Sequence, residues 1–156
     1  MLLAELLRRG MQVWVDGGEF CFRGPTEVIT PELRDELIGS KQALIDALIP
    51  GKRYLAASFA QQRLWFLENL QPGSPLYTMP VAAFRLHGAL NVEALQRSLD
   101  QMVARHATLR TTFESFDGYP AQVISDTARI ELETHNLSQA RNKEAESIAL
   151  ISSEMR

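Results

Sequence analysis

The pattern of apolar positions changes its period several times in about the first fifty residues. Four leucines within residues 2–7 recur at the spacing of one helix face, which predicts a short amphipathic helix. Apolar and polar side chains instead alternate over residues 11–15, and they do so again over residues 19–23. Because residues 16–18 between these runs are Asp-Gly-Gly, which suits a tight reversal, the pattern predicts a β-hairpin.

Two helices are predicted after the hairpin. Thr30-Pro31-Glu32 combines a hydroxyl cap, a proline at the first helical position and a carboxylate near the positive end of the helix dipole. An apolar stripe then runs from Leu33 to Ile49, is interrupted at Gly39-Ser40, and ends before Pro50-Gly51. The predicted order of elements in this segment is therefore helix, strand, strand, helix, helix.

Helices and strands also alternate in the rest of the chain. Residues 51–57 show no clear period and are interpreted as a connection. The elements predicted after it are a helix capped by Ser58, a strand over Val81–His87, a helix capped by Asn91, strands over 109–114 and 121–124, a strand candidate at 130–133, and a weakly patterned helix over Ser138–Met155. Because no repeat is present, this part is predicted to be α/β or α+β.

Composition and charge exclude several classes of function. Sixteen basic against nineteen acidic residues, a net charge of −3, does not favour nucleic acid as a partner. No apolar run approaches the ~20 residues that span a bilayer, so no membrane partner is expected. The single Cys21 excludes an intramolecular disulfide and any Cys-based zinc site. These features predict a cytoplasmic protein, whose net charge lies entirely in residues 1–49, with 5 basic and 8 acidic groups.

The predicted hairpin has a physical consequence. A two-stranded hairpin has two unpaired edges and is marginal in water by itself. An exposed edge backed by helices can accept a third strand from another chain. The pattern leaves a second interpretation open, in which residues 1–49 are a small subdomain that packs on the segment that follows.

A set of short motifs spans most of this first segment. They are Leu6-Leu7, Gly10, Val13-Trp14, Asp16-Gly17-Gly18, Thr30-Pro31-Glu32-Leu33, Leu37, Lys41 and Leu44. In these residues the segment Leu6–Ile49 resembles the N-terminal docking domains of the tubulysin-synthetase (TubC) type, which begin subunits of nonribosomal peptide synthetases. The resemblance implies that the second strand accepts the C-terminal tail of an upstream synthetase subunit as an added strand.

The same resemblance implies which residues bind the tail. The accepting strand would be Glu19, Phe20, Cys21, Phe22 and Arg23. Arg23 is the basic candidate to pair with an acidic tail, and Glu19 would disfavour a wrong partner. Lys41 is a further candidate, although a lysine on a solvated helix face is an alternative interpretation of that residue.

Two longer motifs lie in the second segment. Residues 58–67 read Ser-Phe-Ala-Gln-Gln-Arg-Leu-Trp-Phe-Leu, and residues 105–113 read Arg-His-Ala-Thr-Leu-Arg-Thr-Thr-Phe. They are similar to the first two core motifs of the condensation domains of nonribosomal peptide synthetases, with Ala107 in place of the usual Glu. The motif positions, all interpreted as structural, are Ser58, Gln61, Arg63, Trp65, Arg105, His106, Arg110 and Phe113. The three arginines are expected to form scaffolding ion pairs.

The resemblance to condensation domains implies a chemistry that these residues do not complete. Members of that family carry a His-His-x-x-x-Asp-Gly motif between two chloramphenicol-acetyltransferase-like lobes, and they join substrates held on the phosphopantetheine arms of carrier domains. The three histidines here are His87, His106 and His135, and no two are adjacent. We therefore expect no catalytic residue, no metal and no directly bound cofactor, and a chain that stops within the first lobe and is inactive alone.

The predicted organisation is a docking domain over residues 1–49, a linker over 50–57, and the beginning of a condensation domain over 58–156. The predicted fold class is α+β, a small αββαα unit followed by part of a chloramphenicol-acetyltransferase-like lobe. Three functions compete: a binding module for an upstream tail, an active amide-forming acyltransferase acting with carrier domains, and a self-associating piece whose hairpin edges pair between copies.

Overall fold

The structure is a computed structural model that describes residues 2–74 and 82–154. It contains both helices and strands, as the α+β prediction requires. The helices are α1 (Leu2–Arg8), α2 (Pro31–Gly39), α3 (Lys41–Ala47), α4 (Phe59–Leu70), α5 (Val92–Arg105) and α6 (Lys143–Glu154). The strands are β1 (Gln12–Asp16), β2 (Glu19–Arg23), β3 (Lys52–Ala56), β4 (Thr111–Phe116) and β5 (Tyr119–Ser125). No helix among the described residues is long and apolar enough to cross a membrane.

The strands form one antiparallel sheet in the order β2-β1-β3-β5-β4. Strand β3 lies at its centre, where Tyr54 pairs with Val13 of β1 on one side and with Val123 of β5 on the other. Residues 51–57, interpreted from the sequence as a connection, therefore contain a strand at residues 52–56. The five residues of β3, which are Lys, Arg, Tyr, Leu and Ala, do not alternate in polarity, so the sequence lacks the signal of a half-buried strand. Pairing with β1 and β5 makes this segment a strand instead.

The hydrophobic core joins the first 48 residues to strands β3 and β5. It contains leucines of α1, Val13 of β1, Leu33 and Leu37 of α2, and Val123 of β5. Tyr54 is 1% exposed, its ring meets Phe116 edge-on at 5.6 Å, and its hydroxyl accepts a hydrogen bond from the Ile49 backbone N–H at 3.0 Å. The hairpin is thus not isolated, because β3 covers the inner edge of β1.

The helix caps agree with the sequence analysis. The Thr30 hydroxyl accepts from the Leu33 N–H at 3.3 Å, and the Asn91 side chain accepts from the Ala94 N–H at 2.9 Å. Ser58 begins α4 with reciprocal hydrogen bonds to Gln61. These caps begin helices where the sequence predicts them because each needs only residues within one turn.

Three other predictions differ from the structure. Residues 82–87 form no strand and are exposed, and Val81 lies outside the described residues. Residues 130–133 also form no strand, because Gln96 of α5 accepts from the Leu132 N–H at 3.0 Å and donates to the Ile130 carbonyl at 2.6 Å, which takes the place of a strand partner. The last helix begins at Lys143 rather than at Ser138, and its predicted end, Met155, lies outside the described residues.

Candidate functional site

Strand β2 forms one edge of the sheet. All five of its residues pair with β1, and no other strand of the described residues pairs with its outer side. Its outward-facing backbone N–H and C=O groups are therefore available to a further strand. The predicted accepting strand, residues 19–23, coincides with β2.

The side chains of β2 divide between the two faces of the sheet. Phe20 and Phe22 point toward α2 and α3, where both line an apolar groove. Arg23 lines a separate polar groove on the opposite face, and Cys21 lies opposite Trp14 in the register with β1. Since side chains alternate along a strand, a strand added beside β2 would present its own residues alternately to these two grooves.

The apolar groove lies between β2 and the helices and encloses about 280 Å³. One wall consists of Phe20 and Phe22, whose ring centroids are 6.0 Å apart. The other wall is a stripe along α2 that continues to the first residue of α3, and Ile29 completes the lining. The stripe consists of Arg34, Leu37, Ile38 and Lys41. These positions keep helical spacing across the junction of α2 and α3. Ile38 is 69% exposed, so the groove is open to a ligand.

The two cations of the groove differ in their surroundings. Lys41 forms an ion pair with Glu19 at the start of β2. Arg34 forms no ion pair or side-chain hydrogen bond with any residue of the described ranges. Arg34 is not among the docking residues predicted from the sequence. Its spacing of three, four and seven residues from Leu37, Ile38 and Lys41 is the signal that could have found it.

The polar groove encloses about 360 Å³ on the other face of β1, β2 and β3. Arg23 and Arg53 line it together with Trp14 and Asp126. The Arg53 guanidinium lies 3.5 Å from the Asp126 carboxylate, while its buried Nε has no hydrogen-bond partner among the described residues. Arg23 lines this polar groove, whereas Lys41 lines the apolar groove on the opposite face of the sheet. The six residues predicted to dock a partner therefore do not form one cluster.

The first condensation motif anchors α4 to the sheet. The Ser58 N–H donates to the Gln61 side chain at 2.7 Å, and the Gln61 amide donates to Gln122 of β5 at 3.2 Å. Gln122 in turn donates to the Ala56 carbonyl of β3 at 2.9 Å. Gln62, which is not one of the predicted motif positions, donates to the Ala57 carbonyl at 2.8 Å. The glutamines of this motif thus join α4, β3 and β5.

The predicted ion pairs of the motif arginines are absent from the described residues. Arg110 binds backbone carbonyl groups instead, those of Val103 at 3.0 Å and of Ser125. Arg63 and Arg105 are exposed and form no ion pair in the described ranges. The Arg110 guanidinium carries five N–H donors. Backbone carbonyl oxygens accept from two of its nitrogens, so Arg110 does not need a carboxylate as a partner.

The remaining motif residues occupy a helix end, a surface groove and the sheet. His106 is the cap residue directly after α5, its N–H donates to the Met102 carbonyl at 2.9 Å, and its side chain is exposed. Trp65 borders a surface groove with Pro120, and Phe113 lies opposite Gln122 in the sheet. Within the described ranges no three His, Cys, Asp or Glu side chains are grouped to hold a metal ion.

Comparison with known proteins places these two segments in families. Residues 52–156 match the family described as Condensation domain, and residues 1–48 match the family described as TubC N-terminal docking domain. The chain therefore belongs to the condensation-domain family of nonribosomal peptide synthetases and begins with a docking domain of the TubC type. The boundary between the two matches lies directly before β3, which is the strand that pairs with the docking hairpin.

The curated relatives are synthetases far longer than this chain. It is 46% identical to a subunit of linear gramicidin synthase from Brevibacillus parabrevis over 102 residues, which are 65% of this chain and 1% of that protein. It is 43% identical to nonribosomal peptide synthetase kk1B of Curvularia clavata over 97 residues, 60% of this chain and 1% of that protein. The chain thus spans about 1% of the length of these relatives. No solved structure matches it.

Proposed function

We propose that residues 1–48 bind the C-terminal tail of an upstream synthetase subunit by accepting it as a strand beside β2. The observation that carries this proposal is the position of β2, an edge strand whose outer side has no partner in the described residues and which borders an apolar groove. Strand addition would satisfy the outward-facing backbone groups of β2, while the groove would bury alternate side chains of the tail.

The interaction is expected to be weak for a free tail. A single short strand covers less surface than the ~1,200 Å² of stable complexes, so affinity on the order of micromolar is expected. Weak docking suffices when several contacts act together, because the second contact then forms at high effective concentration. Docking would determine which upstream subunit delivers its substrate to this one.

The segment from residue 52 onward is proposed to belong to the part of the parent protein that forms amides. Its membership in the condensation-domain family supports this role, with substrates carried on phosphopantetheine arms of carrier domains. The family match and the motif residues that anchor α4 support a scaffold role for this segment. An acyltransferase activity of the 156-residue chain itself remains the alternative.

The test uses a peptide with the C-terminal sequence of the synthetase subunit encoded upstream. We expect it to shift the backbone amide resonances of residues 19–23 at micromolar concentrations. Arg23→Glu should weaken binding of an acidic tail, whereas Arg97→Glu on the remote helix α5, the matched change of charge, should not. Unchanged amide resonances in β2 would contradict the proposal.

Light scattering at several protein concentrations distinguishes docking from self-association. A chain that docks an upstream tail is expected to stay monomeric without peptide. If mass and the β2 resonances instead change with protein concentration alone, the hairpin edges pair between copies. Formation of an amide from carrier-bound substrates by the chain alone would favour the acyltransferase alternative.

A further inference from the structure

The cations around β2 are not equally available to a docked strand. Lys41 is already paired with Glu19, and Arg23 lies on the opposite face of the sheet. Arg34 remains as the cation of the apolar groove without an ion pair in the described residues. An acidic side chain entering this groove would therefore find Arg34 unneutralised.

The position of Arg34 favours recognition of a carboxylate. Leu37 and Ile38 lie on the same helix face and share the groove with it. Arg34 is exposed, so its pair with a carboxylate would have the modest strength of a partly screened ion pair, which the adjacent apolar walls increase by displacing some of the water. The planar guanidinium can also donate two parallel hydrogen bonds to one carboxylate.

Glu19 has the opposite effect on the same groove. In the free protein its carboxylate is paired with the Lys41 ammonium. An acidic residue of the tail would have to displace Glu19 from Lys41 or be repelled by the Glu19 carboxylate. Both side chains are about half exposed or more, at 48% for Lys41 and 67% for Glu19, so solvent weakens the pair and displacement is not prohibitive. Glu19 thus competes with acidic residues at one end of the groove only.

We infer that Arg34 is the specificity-determining residue of the groove, which pairs with an acidic side chain of an otherwise apolar docked strand, and that the Glu19–Lys41 ion pair is an internal competitor. The occupant is an extended peptide that presents apolar side chains between Phe22 and Leu37 and one carboxylate to Arg34. This inference rests on the proposed docking function and adds the chemistry by which one tail is selected.

The test uses designed peptides and the full chain. The parent peptide alternates valine and threonine, and its variants carry Glu, Gln or Lys at one valine position at a time. We expect the best Glu peptide to bind about three- to fivefold more tightly than its Gln counterpart, the range of a partly exposed ion pair. Arg34→Gln should abolish this difference, and Arg34→Glu should transfer the preference to the Lys peptide.

Matched variants separate Arg34 from general charge effects. Arg8→Gln on α1, which removes a cation that does not line the groove, should leave the Glu preference unchanged. Glu19→Gln should raise affinity for Glu peptides about twofold by releasing Lys41. The amide spectra of the unbound variants verify that each is folded.

The outcomes distinguish the two proposals. If the parent peptide shifts the amides of residues 19–23 but the Glu preference survives Arg34→Gln, the inference about Arg34 is wrong while strand addition stands. If no peptide shifts these amides with any variant, both the docking function and this inference are overturned. Loss of the preference in Arg34→Gln alone, with Arg8→Gln unaffected, supports the inference.

Discussion

Replacing Tyr54 by Phe tests whether the two segments share one sheet. The change removes only the hydroxyl, which accepts from the Ile49 N–H at 3.0 Å, and keeps the ring against Phe116. The bond is part-buried, since Tyr54 is 1% exposed and Ile49 is 50% exposed, so water replaces the lost hydroxyl only in part. Tyr54→Phe therefore leaves a polar group poorly satisfied while creating only a small void.

The expected cost follows from the hydrogen bond. A lost hydrogen bond with an unsatisfied partner lowers the free energy of unfolding by about 1–2 kcal/mol. For a chain of this length, about 1.5 kcal/mol lowers Tm by roughly 3–6 °C. Tyr119→Phe is the matched control, since its hydroxyl accepts from Gln62 at a long 3.4 Å and its loss should cost less than ~0.5 kcal/mol.

The assay follows unfolding in denaturant through two tryptophans. Trp14 lies in β1 and Trp65 in α4, and they are the only tryptophans of the chain. A Trp65→Phe background reports the docking segment, and a Trp14→Phe background reports the other one. Because β3 pairs with both neighbours, Tyr54→Phe should shift both transitions to lower denaturant by the same free energy.

The result that would refute this reasoning is a separation of the two transitions. If Tyr54→Phe moves the Trp14 transition and leaves the Trp65 transition in place, the segments unfold independently and the sheet does not couple them. A loss below ~0.3 kcal/mol in both backgrounds would instead show that the Ile49 hydrogen bond contributes little.

Two further predictions concern backbone space and a helix cap. Gly24→Ala should destabilise the fold by about 1–3 kcal/mol in thermal unfolding, because the new Cβ would collide with the buried side chain of Met11 and lie 3.2 Å from its Cα. Gly39→Ala in α2, where a Cβ meets nothing within 4 Å, should instead stabilise by roughly 0.5–1 kcal/mol. Thr30→Ala should cost about 0.5–2 kcal/mol and raise the pKa of Glu32 toward its ordinary value in an NMR titration.

The sign of the Glu32 effect is fixed by its hydrogen bonds. Its own backbone N–H, and then the Thr30 hydroxyl, lower the pKa of the Glu32 carboxyl. A lowered pKa stabilises the folded state above the ordinary pKa, and this contribution is lost as pH falls through the lowered value. A Glu32 titration unaffected by Thr30→Ala would contradict the assigned contact, and equal effects of the two Gly→Ala changes would contradict the packing argument.

Much of the docking segment could be predicted from the sequence. The turn at residues 16–18, the cap at Thr30 and the break at Gly39-Ser40 all lie where the structure has them. Each depends on a backbone preference or a hydrogen bond between near neighbours, so the local sequence contains the whole signal. The two condensation motifs could be recognised from residue identity. The hydrogen-bond partners of Arg110 could not, because they are backbone carbonyl groups of α5 and β5.

Tertiary structure alone decided which strands are neighbours and which charges are free. The sequence of β3 carries no alternation, and its place between β1 and β5 depends on burying Tyr54 among residues of α1, β1, α2 and β5. Likewise, the sequence shows Arg34 and Lys41 only as two basic residues of predicted helices. In the folded chain β2 brings Glu19 to Lys41 and not to Arg34. The physical reason is the same in both cases: local preferences act within a few residues, whereas burial and ion pairing depend on groups that the folded chain brings together over long separations.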